Sequence, residues 1–204
     1  MIDKTKNKKS GFALLLAIVV SSIVLAVGLT MLSITVKQLT LSSVSRESSI
    51  SFATAAAGLE CARYWRLEQP NEYTKSSYTP TSSPAPAVTC FGSSAANISE
   101  AQKIHSDSNG YLNEFRYQMD WTAGAEDLCV EMDLYLMVAS ESNDYSYNFK
   151  THGISNAVGD VNGNKTCKSG DICTVAITRG YNRSCSDVSA DSLLTVEREI
   201  TSQF

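Results

Sequence analysis

Proline is confined to four positions, 70, 80, 84 and 86. Nothing therefore interrupts a helix before residue 70, and no strand after residue 86 loses a backbone donor to proline. Imidazole is scarce too. His105 and His152 are the two histidines, and neither stands at zinc-site spacing from a cysteine pair. No Cys-x-x-Cys, Gly-x-Ser-x-Gly, His-Glu-x-x-His or glycine-rich phosphate loop occurs. These absences argue against thioredoxin-like redox chemistry, the common hydrolase motifs and nucleotide binding. The expectation is a protein with no catalytic residues and no cofactor.

Charge is missing where it matters most. From Gly11 to Val36, 26 consecutive positions, there is no ionisable side chain. About 20 apolar residues suffice for a helix to cross a bilayer, and no later stretch comes close to a second span. Lys4, Lys6, Lys8 and Lys9 against Asp3 give the first eleven residues a net charge of +3, leaving −7 of the formal −4 for the remainder. Basic residues beside a span stay cytoplasmic, so the N-terminus is expected inside and Lys37 onward outside the inner or cytoplasmic membrane. An acidic exported domain lacks the basic footprint of a nucleic-acid partner. A secretory signal peptide fits less well, because the apolar run exceeds a typical h-region and no small-x-small site closes it.

The helix is expected to outlast the membrane. Leu25, Leu29, Leu32, Val36 and Leu39 keep a helical period, and Ile50, Ala53, Ala57, Cys61 and Tyr64 resume one face. The pattern predicts one helix from Phe12 to Trp65, stopped by Pro70 and roughly 80 Å long. Residues 69–100, rich in proline, serine and threonine, read as a loop. Strands are expected at Leu112–Asp120, Cys129–Ala139, Tyr145–Ile154, Ile172–Thr178 and Leu193–Ile200, with no long helices between them. That makes the class α+β: a long N-terminal helix on an antiparallel sheet. The parts are a leader (1–11), a membrane or filament-core helix (12–36), its extracytoplasmic continuation (37–66) and a β domain (67–204).

Six cysteines, at 61, 90, 129, 167, 173 and 185, all fall on the outer side, where disulfides are favoured over metal ligation. Fifteen full pairings exist. Cys61–Cys90 would staple the proline-rich loop to the helix, Cys167–Cys173 would close a small loop, and Cys129–Cys185 follows by elimination. Asp160, Asn162 and Asn164 form an oxygen-rich turn. It departs from a calcium loop, which needs glycine at its sixth position where Lys165 stands. The competing reading is an Asx turn.

Lys8-Lys9-Ser10-Gly11-Phe12-Ala13-Leu14-Leu15-Leu16 resembles the prepilin leader of type IV pilins and type II secretion pseudopilins. Ala55-Ala56-Ala57-Gly58-Leu59-Glu60-Cys61-Ala62 looks like the small-residue stretch of PilX-type minor pilins. The resemblance covers the first third of the chain. It implies a pilin-like fold, cleavage after Gly11 by a prepilin peptidase, N-methylation of Phe12, and partnership with other pilin subunits and the pilus assembly machinery. Pilus or cell-surface display would follow, in pilus initiation, cell adhesion, DNA uptake or secretion. One departure stands out: the family's glutamate at the fifth mature position is Leu16 here, which points to a minor or tip subunit. The alternative expectation is a single-pass anchored ectodomain that binds a ligand without polymerising.

Overall fold

The computed structural model describes residues 10–90, 92, 98–124, 126–154, 158–190 and 195–204. The expected leader therefore lies outside the described residues up to position 9. The chain forms two compact units, residues 1–46 and 47–204. Helix α1 (Ser10–Glu68) begins and ends within three residues of its expected bounds. The run lacks proline, and Gln69-Pro70 ends it.

In the first unit every described side chain from Phe12 to Leu41 is exposed. Five hydroxyls there, those of Ser22, Thr30, Ser33, Thr35 and Thr40, bond to carbonyls within the helix. Ser22 donates to the Val19 carbonyl at 2.8 Å and Thr30 to that of Val27 at 2.8 Å, while Thr35 bonds Met31 at 2.9 Å. Such back-bonding lets polar side chains sit in an apolar surrounding without an orphaned donor.

The second unit sets residues 47–68 of α1 and a six-stranded sheet together. After the short helix α2 (Pro70–Tyr73) come β1 (Ser83–Pro84), β2 (Ile98–Ser106), β3 (Gly110–Ala123) and β4 (Glu126–Ala139). Then follow β5 (Tyr145–Asn148), a 3-10 turn (Phe149–His152), β6 (Asn164–Cys167), β7 (Ile172–Tyr181), α3 (Cys185–Ser189) and β8 (Glu197–Gln203). The main sheet runs β1-β2-β3-β4-β7-β8, and β5 and β6 pair separately. All its pairings are antiparallel.

The helix meets the sheet where glycine permits it. A Cβ on Gly180 of β7 would strike the Ser51 carbonyl and the Ala55 amide, and one on Gly58 would strike Val130. Thr178 reaches up from β7 to donate to the Ala55 carbonyl at 2.9 Å. The inner core is Cys61 and Ala62 of α1 against Phe115, Tyr117, Met119, Val130, Met132, Leu134 and Leu136.

Residues 69–90 of the loop expected over 69–100 form a strap over that same core. Tyr73 donates to Tyr117 at 3.0 Å, Tyr117 donates to the Pro86 carbonyl at 3.1 Å, and Trp65 Nε1 donates to that of Thr89 at 3.0 Å. Residues 98–100 of that expected loop already belong to β2, which the sequence pattern missed. The one fully buried position among Ile98–Ser106 is Ala101, so no apolar alternation marks the strand.

A second core lies on the opposite face of the sheet, under the β5–β6 hairpin: Leu112, Tyr135, Met137, Tyr145, Phe149, Val158, Val175 and Ile177. The expected alternation of β4 therefore buries residues on both faces, because the strand is central and covered twice. The strand expected over Tyr145–Ile154 stops at Asn148. There the Asn148 side chain caps the 3-10 turn by accepting the Thr151 N–H at 3.2 Å. Leu193 and Leu194 of the expected last strand lie outside the described residues, and β8 begins at Glu197.

Candidate functional site

Two regions carry chemistry beyond ordinary packing. The first is the N-terminal part of α1, the one helix among the described residues long and apolar enough to cross a membrane. Gly11 and Phe12 lie in its first turns. Leu16 is exposed, and no acidic residue occurs between Asp3 and Glu47.

The cysteines pair as Cys61–Cys90, Cys129–Cys185 and Cys167–Cys173, with Cα separations of 6.1, 4.7 and 5.7 Å. Cys61–Cys90 and Cys167–Cys173 are the pairs expected from the loops they flank, and Cys129–Cys185 is the one left by elimination. The first ties the strap to α1, the second ties α3 to β4, and the third closes the turn between β6 and β7.

The Asp160 turn is held by its own backbone. Asp160 Oδ1 accepts the N–H groups of Asn162 and Asn164, both at 2.9 Å. Those donors, that of Asn164 foremost, hold its carboxyl below the usual range. Asn164 starts β6, and its side-chain oxygen accepts from Asn148 at 2.8 Å. Among the described residues no group of three or more His, Cys, Asp or Glu is arranged to hold a metal. His105 and His152 instead flank Tyr147, with ring centroids 5.6 and 6.4 Å away.

The second region is the outer sheet face beside the β5–β6 hairpin, which sequence reasoning missed. Charges alternate across it from strand to strand. Glu100, Arg116 and Asp133 stand opposite one another on β2, β3 and β4, and Glu131, Arg179 and Glu199 do so on β4, β7 and β8. Opposite charges at facing positions stabilise a sheet. Arg179 bonds Asp133 at 2.8 Å and Glu199 at 3.0 Å. Burial works against its charge, but these bonds outweigh burial and raise its pKa. Asp133 is pushed up by desolvation despite Arg179.

Glu114, whose side chain is fully buried, bonds Arg116 at 3.0 Å and accepts the Tyr135 hydroxyl at 2.9 Å. Among the described residues the short hydrogen bonds to Glu131 come from neutral donors, Gln118 at 2.9 Å and Tyr181 at 3.0 Å, with the Arg179 guanidinium 4.0 Å off. A cavity of about 590 Å³ opens over this face, walled on one side by the turn at His152 and Ile154. The signal available in the sequence was period-2 polarity: Glu114, Arg116 and Gln118 on β3, and Glu131 and Asp133 on β4.

No family model, no curated protein and no solved structure matches this chain.

Proposed function

We propose that this protein is a minor, tip-type subunit of a type IV pilus or type II secretion pseudopilus. On this reading a prepilin peptidase cuts the chain between Gly11 and Phe12 and methylates the new N-terminus. The observation that carries the reading is α1: one unbroken helix whose first part is charge-free and exposed, and whose last part is built into a disulfide-bonded antiparallel β domain. An apolar helix of this kind is stable in lipid. It can leave lipid only into another apolar surrounding, since burial is worth about 25 cal/mol per Å². A bundle of like helices supplies one. Leu16 supports the tip assignment, because a glutamate buried without an ammonium partner is costly.

The test is the N-terminal mass of the protein from native membranes and from sheared filaments. N-methyl-Phe12 is expected in both. An intact Met1 in cells that process other prepilins would overturn the reading. It would leave an anchored ectodomain that does not polymerise, a role for which the cavity on the outer sheet face speaks. Crosslinking from the β domain is expected to place the subunit at one filament end, and uniform placement along the shaft would exclude the tip role.

A further inference from the structure

We infer that the cavity on the outer sheet face is a docking groove for a lysine side chain presented by a peptide segment of another protein. Three observations converge on it. The cavity, about 590 Å³, falls within the size range of ligand sites and lies beside the β5–β6 hairpin.

Its charges do not balance. Five carboxylates surround the two guanidiniums of this face: Glu114 and Asp133 around Arg116, and Glu131, Asp133, Glu197 and Glu199 around Arg179; Glu100 is a further carboxylate lining the cavity. Both arginines are already engaged, which leaves little for an anion. The surplus negative charge includes Glu131, whose nearest donors are neutral. A concave, partly desolvated site focuses such a surplus and attracts a cation.

The third observation is the wall. Ile98, Ile154 and Ile177 line the cavity alongside the carboxylates. A lining of isoleucine and carboxylate side chains suits lysine, whose methylene stem lies against hydrocarbon while its ammonium meets a carboxylate. A guanidinium suits it less, because the planar partners it needs are already taken by Arg116 and Arg179. The cavity is larger than one side chain, so the lysine arrives on a longer peptide segment and not as a free amine.

The groove is independent of the filament assignment, and the experiment keeps the two apart. The full-length protein, processed or not, is titrated in non-ionic micelles with acetylated tri-lysine amide while its backbone amides are followed by NMR. The groove predicts saturable shifts at Glu131, Asp133, Arg179 and Ile154. The Nε-acetylated peptide should produce none. Glu100→Gln with Glu199→Gln should weaken binding about fivefold, the scale of one or two partly exposed charge contacts. Glu126→Gln with Asp187→Asn, in the separate acidic patch beside α3, should leave binding unchanged.

Ile154→Ser, which removes wall and no charge, provides a second variant that tests shape. Unchanged affinity in Ile154→Ser, or equal loss in both charge variants, would reduce the effect to general attraction to an acidic domain and overturn the proposal. So would absence of binding at low salt, or spermidine competing as tightly as the peptide.

Discussion

Gly180 shows how much rests on a missing atom. Its Cα lies under the helix backbone at Ser51 and Ala55, and a methyl group there meets main chain, which cannot swing aside. Gly180→Ala is expected to destabilise the β domain by at least ~1–3 kcal/mol, the usual cost of overpacking, read as a lower urea midpoint at unchanged m-value. Tyr73 makes a different residue-scale prediction. Desolvation is the main cause that pushes its phenol up to about 12 from 10.0, and Tyr117, Tyr135, Tyr145 and Tyr181 are raised for the same reason. A raised pKa means the neutral form is favoured in the fold. Its stabilisation is complete below pH 10 and is lost as pH rises toward 12. Phenolate absorbance and loss of far-UV ellipticity should therefore rise together above pH 10, with Tyr73→Phe shifting the midpoint upward.

At the scale of elements, the strap and the span make separate claims. The strap of residues 69–90 has little regular structure and is held by tyrosine hydroxyls, Trp65 and the Cys61–Cys90 bridge. Replacing both cysteines by serine is expected to cost about 2–4 kcal/mol and to open the strap to proteases before the sheet unfolds, visible as early cleavage between residues 70 and 90. In the span, Val24→Arg places a charge at the centre of the apolar run, at a cost of about 2.5–3.5 kcal/mol on insertion. A larger share of the protein should appear in the soluble fraction.

What the sequence made legible divides along the same line. Helix α1 was legible, because a helical period and the absence of proline are local in the chain; Cys61–Cys90 and Cys167–Cys173 were suggested by the loops they flank, whereas Cys129–Cys185, 56 residues apart, followed only by elimination. β4 was legible as a strand but not as a doubly covered one, since Tyr135 and Met137 are buried by a hairpin ten residues further on. β2 and β6 were missed because their neighbours, not their own alternation, hold them. The charged face was missed because its groups come from five strands and meet only after the sheet has formed.

For the whole molecule the dominant fact is segregation of charge. Residues 47–204 carry twenty acidic and eleven basic side chains, while residues 1–46 carry one acidic and six basic. The β domain is thus strongly anionic, and surfaces of like sign repel it, an effect that salt screens over about 10 Å at 0.1 M. Adsorption of the full-length protein in micelles to cationic supports is expected to fall steeply with ionic strength, measured as elution from anion exchangers.

The disulfides also decide how this protein bears load. A pull applied between α1 and the C-terminal strand passes through Cys61–Cys90 and Cys129–Cys185 and bypasses residues 62–89 and 130–184. At about 3.4 Å per residue that is roughly 280 Å of chain that cannot pay out. More than half of the β domain is covalently shielded from tension, and only a reductant would let it lengthen.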